Sequence, residues 1–393
     1  MSWKKVKLSE LCNMNSGGTP SRAIKEYYIG DIPWAKISDI ENAQSGIIKN
    51  TEEHISKAGL DSINNRIFPK GTLLLAMYGS VGKAAFTGIE MSTNQAILGI
   101  RIKDENTLDY SFLKYWFQTI KTQLLNRAVG GTLQNISLGI VKDLQIPLPP
   151  LPTQKRIAEI LDAADALRRK DQELLRKYDE LAQAIFIDMF GDPVKNEKGW
   201  DRIPFAELFD SRLGKMLDAK KQVGGKKFKY LGNSNLQWFR FNLDNLLEME
   251  FADNEIEKFE LKKGDILICE GGEVGRCAIW NNDMPNVYFQ KAIHRARAIS
   301  NNITPEYTVM LFWFLAKYGG LNDYVTAATI AHLTGEKLKL IPIPVPPIDL
   351  QIKYRDVVLQ LNKQNELFAV SQLHSENIFN SLLQQAFKGE LVK

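Results

Sequence analysis

Internal repetition is the feature that most constrains how this chain of 393 residues folds. The pattern that begins at Trp3, a tryptophan followed by spaced apolar residues and Glu-Leu, returns at Trp200, and every matching residue lies 197 positions further on. A glycine-containing stretch around Gly71 returns around Gly264, and proline runs at 146–154 and 341–351 end on matching glutamines. The chain is therefore predicted to be two tandem copies of one unit, each a globular domain followed by a long helix.

The repeat also nearly closes on itself. Phe190 precedes Trp200 by 10 residues, and the path from Phe387 through the last residue and round to Trp3 takes 9. This circularity predicts a pseudo-two-fold molecule whose termini lie close together.

Short β-rich runs alternate with turn signals in the first part of each copy. The runs lie at 71–76 and 95–102 in the first copy and at 265–269 and 290–297 in the second. Helical segments are predicted between them, at 110–126 and 305–317. Each copy is therefore expected to begin with a mixed α/β domain.

After each proline run the hydrophobic period changes to that of a helix. The segments 154–189 and 351–387 each predict an amphipathic helix of about 35 residues, or about 50 Å. The apolar stripes comprise Ile157, Leu161, Leu167, Leu174, Tyr178, Leu181 and Ile185 in the first helix and Val358, Leu361, Phe368, Phe379 and Leu382 in the second. We expect the two helices to pair as an antiparallel coiled coil. The alternative is that each helix folds back on its own domain.

The predicted fold class is thus α+β, with two tandem mixed α/β domains separated by two long helices. The boundaries are expected at 1–150 for the first domain, 151–192 for the first helix, 193–347 for the second domain and 348–393 for the second helix.

Composition is that of an ordinary globular protein, with 44% hydrophobic and 24% charged residues. Cys12, Cys269 and Cys277 form no metal or disulfide pattern. No apolar run is long enough to cross a bilayer, so a cytoplasmic protein is expected. The net charge of +4 neither indicates nor excludes a nucleic-acid partner, because a basic face can be hidden in a balanced total.

Catalytic patterns are scarce. The four histidines are scattered and offer no metal-ligand spacing. The turn at 78–83 fails as a phosphate-binding loop, because Met77 and Ala84 stand where that motif needs a glycine and a hydroxyl. An E-x-K arrangement at 260–262 is too common to indicate a nuclease, and a glycine-rich cofactor turn is absent. The pattern favours a binding role.

Two features suit contact with DNA. A glycine turn followed by a cation occurs in both copies, ending at Lys83 and at Arg276, and it could bring backbone and cation to a phosphate or a base edge. The alternative is a β-hairpin turn with a solvated cation. The second feature is a basic stretch at 212–229, followed by the amides of Asn233 and Asn235.

Several motifs together resemble the specificity subunits of type I restriction-modification systems. They are S-G-G-T-P-S at 16–21, I-P-W-x-K-I-S-D at 32–39, K-G-T-L-L-L-x-x-x-G-S-V-G-K at 70–83, T-N-Q-A-I at 93–97, G-G-T at 130–132 and the proline run leading into a helix. The terminal F-K-G-E-L at 387–391 also fits. The resemblance spans the chain, although the second copy has no G-G-T-P and no W-x-K-I-S-D.

The resemblance implies two target-recognition domains that each read half of a split, asymmetric site in double-stranded DNA, with the helices as a ruler. It implies a non-catalytic subunit whose partners are two modification (methyltransferase) subunits and ATP-dependent restriction subunits. S-adenosylmethionine, magnesium and ATP would bind those partners, and this chain would hold no cofactor or metal.

Candidates for DNA contact follow from the motifs and from the basic stretch. In the first copy they are Gly18, Thr19, Arg22, Lys36, Ser38, Tyr78, Gly79, Ser80, Lys83, Gln95 and Gly131; in the second they are Lys215, Lys220, Lys221, Lys227, Asn233, Asn235, Gly272, Glu273, Arg276, Gln290 and Lys291.

Two other hypotheses are a coiled-coil adaptor that joins proteins without touching DNA, and an intrinsic nuclease or methyltransferase. Charge reversal of Lys220, Lys221, Lys226 and Lys227 separates the adaptor from the DNA-binding subunit, because an adaptor would keep both its assembly and its activity. An enzyme would be active as the purified chain alone.

Overall fold

The computed structural model describes residues 3–43, 46–120, 136–216, 226–327 and 331–392. The chain divides into two compact units. Unit 1 comprises residues 1–174 and 368–393, and unit 2 comprises residues 175–367. Within the described ranges, every helix is too short or too polar to cross a membrane.

Unit 1 is built on a five-stranded sheet and a four-stranded sheet. Its strands are β1 (Lys5–Lys7), β2 (Cys12–Ser16), β3 (Ile32–Ala35), β4 (Ile47–Ile48), β5 (Glu53–Ile55), β6 (Ile67–Phe68), β7 (Leu73–Ala76), β8 (Ala84–Thr87), β9 (Met91–Thr93), β10 (Ile97–Ile102) and β11 (Gln145–Pro147). The strand orders are β2-β10-β7-β8-β4 and β5-β3-β9-β6, and β1 pairs with β11. Its short helices are α1 (Leu8–Leu11), α2 (Ile37–Glu41), α3 (Lys57–Ser62), α4 (Tyr110–Thr119) and α5 (Leu138–Lys142).

Unit 2 repeats the centre of this arrangement. After the long helix α6 (Leu151–Phe190), its strands are β12 (Arg202–Pro204), β13 (Phe209–Leu213), β14 (Lys226–Leu231), β15 (Leu236–Gln237), β16 (Arg240–Phe241), β17 (Leu247–Phe251), β18 (Asp265–Cys269), β19 (Cys277–Trp280), β20 (Val287–Phe289), β21 (Ile293–Ala298), β22 (Thr326–Ala327), β23 (Ala331–His332) and β24 (Pro342–Pro344). The sheet β13-β21-β18-β19 has the order of β2-β10-β7-β8, and β17-β14-β20 matches β5-β3-β9. Its helices are α7 (Phe205–Leu208), α8 (Asp253–Phe259), α9 (Pro305–Lys317), α10 (Gly335–Leu340) and the long α11 (Ile348–Lys388).

The fold class predicted from the repeat is confirmed. The strands expected at 71–76 and 265–269 are β7 and β18, and the helix expected at 305–317 is α9. The helix expected at 110–126 is described as far as Thr119, because residues 121–135 lie outside the described ranges. The long helices begin at Leu151 and Ile348, three residues before the predicted glutamines, since a proline such as Pro152 is tolerated in a first turn.

Each unit packs the beginning of one long helix and the end of the other into a single core. In unit 1, Ile157 and Leu161 of α6 share a core with Phe379 and Leu383 of α11. In unit 2, Phe186 of α6 lies 5.4 Å from the ring of Tyr354 in α11. The early part of one helix thus meets the late part of the other, which is antiparallel pairing. The end of α11 packs in the core of unit 1 and the end of α6 in the core of unit 2, so the helices pair and neither folds back on its own domain.

Part of the predicted stripe was wrong. Leu167 and Leu181 are 50% and 45% exposed, because a stripe at heptad spacing drifts round a straight helix of 3.6 residues per turn. In unit 1 the Arg168 guanidinium instead contacts Asp165 at 2.6 Å and Glu376 at 3.2 Å. The remaining stripe residues, Leu174, Tyr178, Ile185, Val358, Leu361, Phe368 and Leu382, are half-buried.

A buried glutamine joins domain to helix at the same position in both copies. The Gln154 side chain is fully buried, accepts a hydrogen bond from the amide of Asp109 at 2.9 Å, and donates to the carbonyls of Thr107 and Pro149. Gln351 accepts from the amide of Thr304 at 3.0 Å and donates to two carbonyls in the same way. Each glutamine therefore ties the proline run to the segment that caps the N-terminus of α4 or α9.

We expect Gln154→Ala and Gln351→Ala each to destabilise their unit. Each change leaves an amide and two carbonyls without their partner in a buried place, which costs ~2–4 kcal/mol and lowers the midpoint of thermal unfolding by roughly 5–10 °C. Differential scanning calorimetry measures this. Gln172→Ala, at an exposed glutamine of α6, is the matched control and should leave the midpoint unchanged. Equal midpoints for all three variants would contradict the role given to these glutamines.

His294 of β21 introduces a pH dependence into unit 2. Its ring is buried, and Nε2 lies 2.9 Å from the carbonyl oxygen of Leu333. Burial lowers the pKa of His294, outweighing the opposite effects of that carbonyl and of Glu270. The unfolded chain takes up a proton below about pH 6.5, while the folded ring resists it. Stability is therefore lost as the pH falls from about 6.5 towards the lowered pKa.

We expect His294→Gln to reduce this acid sensitivity. The difference in thermal midpoint between pH 7.5 and pH 5 should be smaller in His294→Gln than in the unaltered protein. His374→Gln, at an exposed histidine of α11, is the control and should follow the unaltered protein. Parallel midpoint curves for His294→Gln and the unaltered protein would count against the interpretation.

Candidate nucleic-acid interface

The first glycine turn is a hairpin between β7 and β8. The amide of Ala76 donates to the carbonyl of Lys83 at 2.9 Å, and Gly79 at the tip has a positive φ of 58°. Gly79 is exposed, and no other atom lies within 4 Å of the place its Cβ would take. Tyr78 beside it is half-buried. The tip is therefore open to an approaching macromolecule.

The cation of this turn already has a partner. Lys83 Nζ lies 3.5 Å from a carboxylate oxygen of Glu41, and the Ser80 hydroxyl donates to the same oxygen. The hydrogen bond from Ser80 lowers the pKa of Glu41, and the nearby charge of Lys83 acts in the same direction. The Lys83 side chain is still 51% exposed, so its contact with DNA stays a prediction.

The second glycine turn, between β18 and β19, is more closed. Arg276 donates to a carboxylate oxygen of Glu273 at 3.1 Å and to the carbonyl of Asn233 at 2.9 Å, and its side chain is only 15% exposed. The Trp238 indole donates to the other Glu273 oxygen. Gly272 is exposed and has a positive φ of 76°. Arg276 thus braces the turn, and Gly272 and Glu273 form its outer face.

The G-G-T-P loop of unit 1 has a packing role. A Cβ on Gly17 would lie 2.1 Å from Thr93 Oγ1, and one on Gly18 would lie 2.7 Å from the Ile63 side chain. The Gly18 carbonyl accepts a hydrogen bond from the indole of Trp34 at 3.0 Å. Gly18 is therefore buried by its own domain. Only the end of the loop is exposed, where the Thr19 hydroxyl donates to the Gln95 amide oxygen.

Arg22 and Lys36 meet at one glutamate. Arg22 lies 2.8 Å from Glu53 and Lys36 lies 2.8 Å from it, with Glu52 a further partner of Lys36 at 2.9 Å. Burial alone would raise the pKa of Glu53, but hydrogen bonds from the two cations outweigh it and lower that pKa. The Arg22 guanidinium also lies 4.1 Å from the ring centre of Tyr28. Ser38 is half-buried in α2, the helix that follows Lys36.

In unit 2, Lys215 is likewise committed within the domain. Its ammonium group contacts the Glu255 carboxylate and donates to the carbonyl of Glu250 at 2.7 Å. Lys227 is exposed on β14 but stands opposite Glu250 in the strand register. Lys291 is exposed beside half-buried Gln290. Lys220, Lys221 and Gly131 lie outside the described residues.

The two candidate asparagines of unit 2, Asn233 and Asn235, are both half-buried. Asn233 donates to the carbonyl of Gly271 at 2.9 Å and accepts from the Cys269 thiol. Asn235 bonds to the amide of Gly232 and to the carbonyl of Asn242, so it closes a short turn. Burial raises the pKa of the Cys269 thiol to about 11, which keeps it protonated at neutral pH. Both amides are therefore used in holding the domain together.

The sequence located the glycine turns and the candidate cations, but it did not identify the carboxylates that pair with those cations. Glu41, Glu53 and Glu255 come from other elements, and no local spacing identifies them. Among the residues described, no group of histidine, cysteine and carboxylate side chains could hold a metal ion. The chemistry that the described site supports is hydrogen bonding and charge neutralisation.

Comparison with known proteins agrees with this architecture. The sequence is similar to the MjaIX type I restriction enzyme specificity subunit of Methanocaldococcus jannaschii, with 32% identity over 200 residues, or 50% of this chain and 46% of that protein. It is 22% identical to the EcoKI specificity subunit of Escherichia coli K12 over 384 residues, covering 89% of this chain and 81% of that one. The chain thus spans about half the length of the first of these relatives.

The fold is shared with a solved structure. The S subunit of a type I restriction-modification system from M. genitalium matches with a TM-score of 0.55 and 17% identity, over 98% of this chain and 96% of that one. The family described as type I restriction modification DNA specificity domain matches residues 1–176 and again residues 197–371. With both copies matched, the chain belongs to the type I restriction-modification DNA specificity family.

Proposed function

We propose that this chain is the DNA-recognition subunit of a type I restriction-modification complex and that its two domains read the two halves of a bipartite, asymmetric site. The observation that carries the proposal is the duplication itself. The two copies keep their strand order and both match the specificity-domain family, whereas their exposed turns carry different side chains. One scaffold with two sets of surface residues suits two different half-sites.

The partners proposed are two methyltransferase subunits and ATP-dependent restriction subunits, and the complex would work in the cytoplasm. S-adenosylmethionine, magnesium and ATP would bind those partners, so that this chain contributes recognition without catalysis. Its relatives are named as specificity subunits of type I restriction enzymes, which supports this division of labour. Membership of the specificity family leaves the adaptor hypothesis without support.

Deleting the gene should abolish one methylation pattern in the cell. Sequencing of methylated adenines should find a motif of two short specified halves separated by a degenerate gap, and that motif should disappear in the deletion strain. Reintroducing the gene is the control and should restore the same motif. An unchanged methylome after deletion would exclude the proposed function.

Reversing the charges of two exposed lysines of β14 should weaken DNA binding without preventing assembly. We expect Lys226→Glu with Lys227→Glu to lower the affinity of the assembled complex for its site at least tenfold at about 0.1 M salt, because lost phosphate contacts weaken binding steeply. The matched control is Lys262→Glu with Lys263→Glu, also exposed lysines of unit 2. Fluorescence anisotropy with a labelled duplex measures the affinity. Equal affinities for the two double variants would exclude Lys226 and Lys227 from the interface.

A further inference from the structure

A polar groove in unit 1 is lined mainly by residues outside the motifs. It has a volume of about 540 Å³. Its walls carry four asparagines, two arginines and a serine, and its floor is apolar; the polar residues are Asn13, Asn15, Ser16, Asn64, Asn65, Arg66 and Arg101. Among the described residues no carboxylate lines it, whereas the groove beside α2 and α6 in the same unit is lined by Asp39, Glu52 and Glu173.

The strand register explains why these side chains converge. Side chains alternate between the two faces of β2. Cys12 and Met14 are buried in the core on one face, so Asn13 and Asn15 point to the other face. Across the ladder, Asn13 stands opposite Arg101 and Asn15 opposite Gly99. A Cβ at Gly99 would lie 2.1 Å from the ring of Phe68, so only glycine leaves that ring in place as the floor.

Most of the polar groups in this groove are unused. In the described part of the chain, the side chains of Asn13, Asn15, Asn64 and Arg101 make no hydrogen bond or ion pair, and Asn13, Asn15 and Arg101 are exposed. Arg66 and Asn65 are already bonded within the unit. Arg66 donates to the carbonyl of Gly17 at 2.7 Å, and Asn65 accepts a hydrogen bond from Lys57 at 2.8 Å. The free groups thus differ from Lys36, Lys215 and Arg276, which are already paired.

At the equivalent positions of unit 2, ion pairs replace the free polar side chains. In its sheet, Asp210 stands opposite Arg297 and Arg212 opposite Arg295, at the register positions of the Asn13–Arg101 and Asn15–Gly99 pairs. Arg295 forms an ion pair with Asp210 and has a side chain only 4% exposed. Arg297 binds both carboxylate oxygens of Asp265 at 2.7 Å. The same strand positions can therefore hold a network of paired charges, as in unit 2, or the free amides of Asn13 and Asn15, as in unit 1.

We propose that this groove binds double-stranded DNA, with Asn13 and Asn15 bonding to base edges and Arg101 contacting a phosphate or a guanine. Asparagine presents a donor and an acceptor together, which matches the adenine edge, and arginine matches guanine or phosphate oxygens. The apolar floor at Phe68 suits a thymine methyl group or a sugar. The inference rests on the proposed function and assigns part of one half-site to this groove.

The first test is a change of motif in the cell. A strain that carries Asn13→Ala with Asn15→Ala should methylate a motif in which one or two bases of one half become degenerate, with a preference at least tenfold weaker, while the other half stays unchanged. Asn50→Ala, at an exposed asparagine of unit 1 outside the groove, should leave the motif as it is.

The second test concerns charge and uses the assembled complex with a labelled duplex. Arg101→Gln should weaken binding at least tenfold at about 0.1 M salt and reduce the dependence of log affinity on log salt by about one, whereas Arg101→Lys should keep that dependence. Calorimetry on each variant checks folding.

The outcomes separate the two proposals. If the unaltered protein supports no bipartite motif, the proposed function fails. If the bipartite motif exists and the Asn13→Ala, Asn15→Ala and Arg101→Gln variants keep both motif and affinity, only the groove assignment fails. A fall in thermal midpoint with an unchanged motif would give these residues a structural role and would likewise overturn the assignment.

Discussion

The structure depends on a buried glutamine at the junction between each domain and its long helix. Gln154 and Gln351 each satisfy one amide and two carbonyls that a proline run and a helix N-terminus leave without partners. A proline run cannot supply its own amide donors, so a side chain has to provide them. Each glutamine thereby joins its proline run to the segment that caps α4 or α9.

The features that the two copies share are of a different physical kind from the features in which they differ. The strand orders, the glycine hairpins and the glutamine junctions occur in both copies, because they serve burial and backbone hydrogen bonding. The side chains at equivalent register positions are free to differ, as Asn13 and Asp210 show. Such a division allows one fold to present two different surface chemistries.

Cations near the exposed turns are largely neutralised from within. Arg22 and Lys36 share Glu53, Lys215 contacts Glu255, and Arg276 contacts Glu273. In each of these pairs the carboxylate holds the cation against its own domain. DNA phosphate would have to compete with those carboxylates, whereas Arg101 has no such competitor among the described residues. Charge in the sequence is therefore a poor guide to charge available at the surface.

The sequence by itself determined the duplication, the fold class, the long helices and the family, because spacing, periodicity and proline are properties of contiguous residues. It located the hairpins through Gly79 and Gly272 for the same reason. The tertiary structure decided which groups meet: Gly18 is packed against Ile63, and Leu167 is turned outward. Only folding brings β2, the loop at 64–69 and Arg101 into one groove, since their proximity comes from strand pairing between distant segments and not from any pattern along the chain.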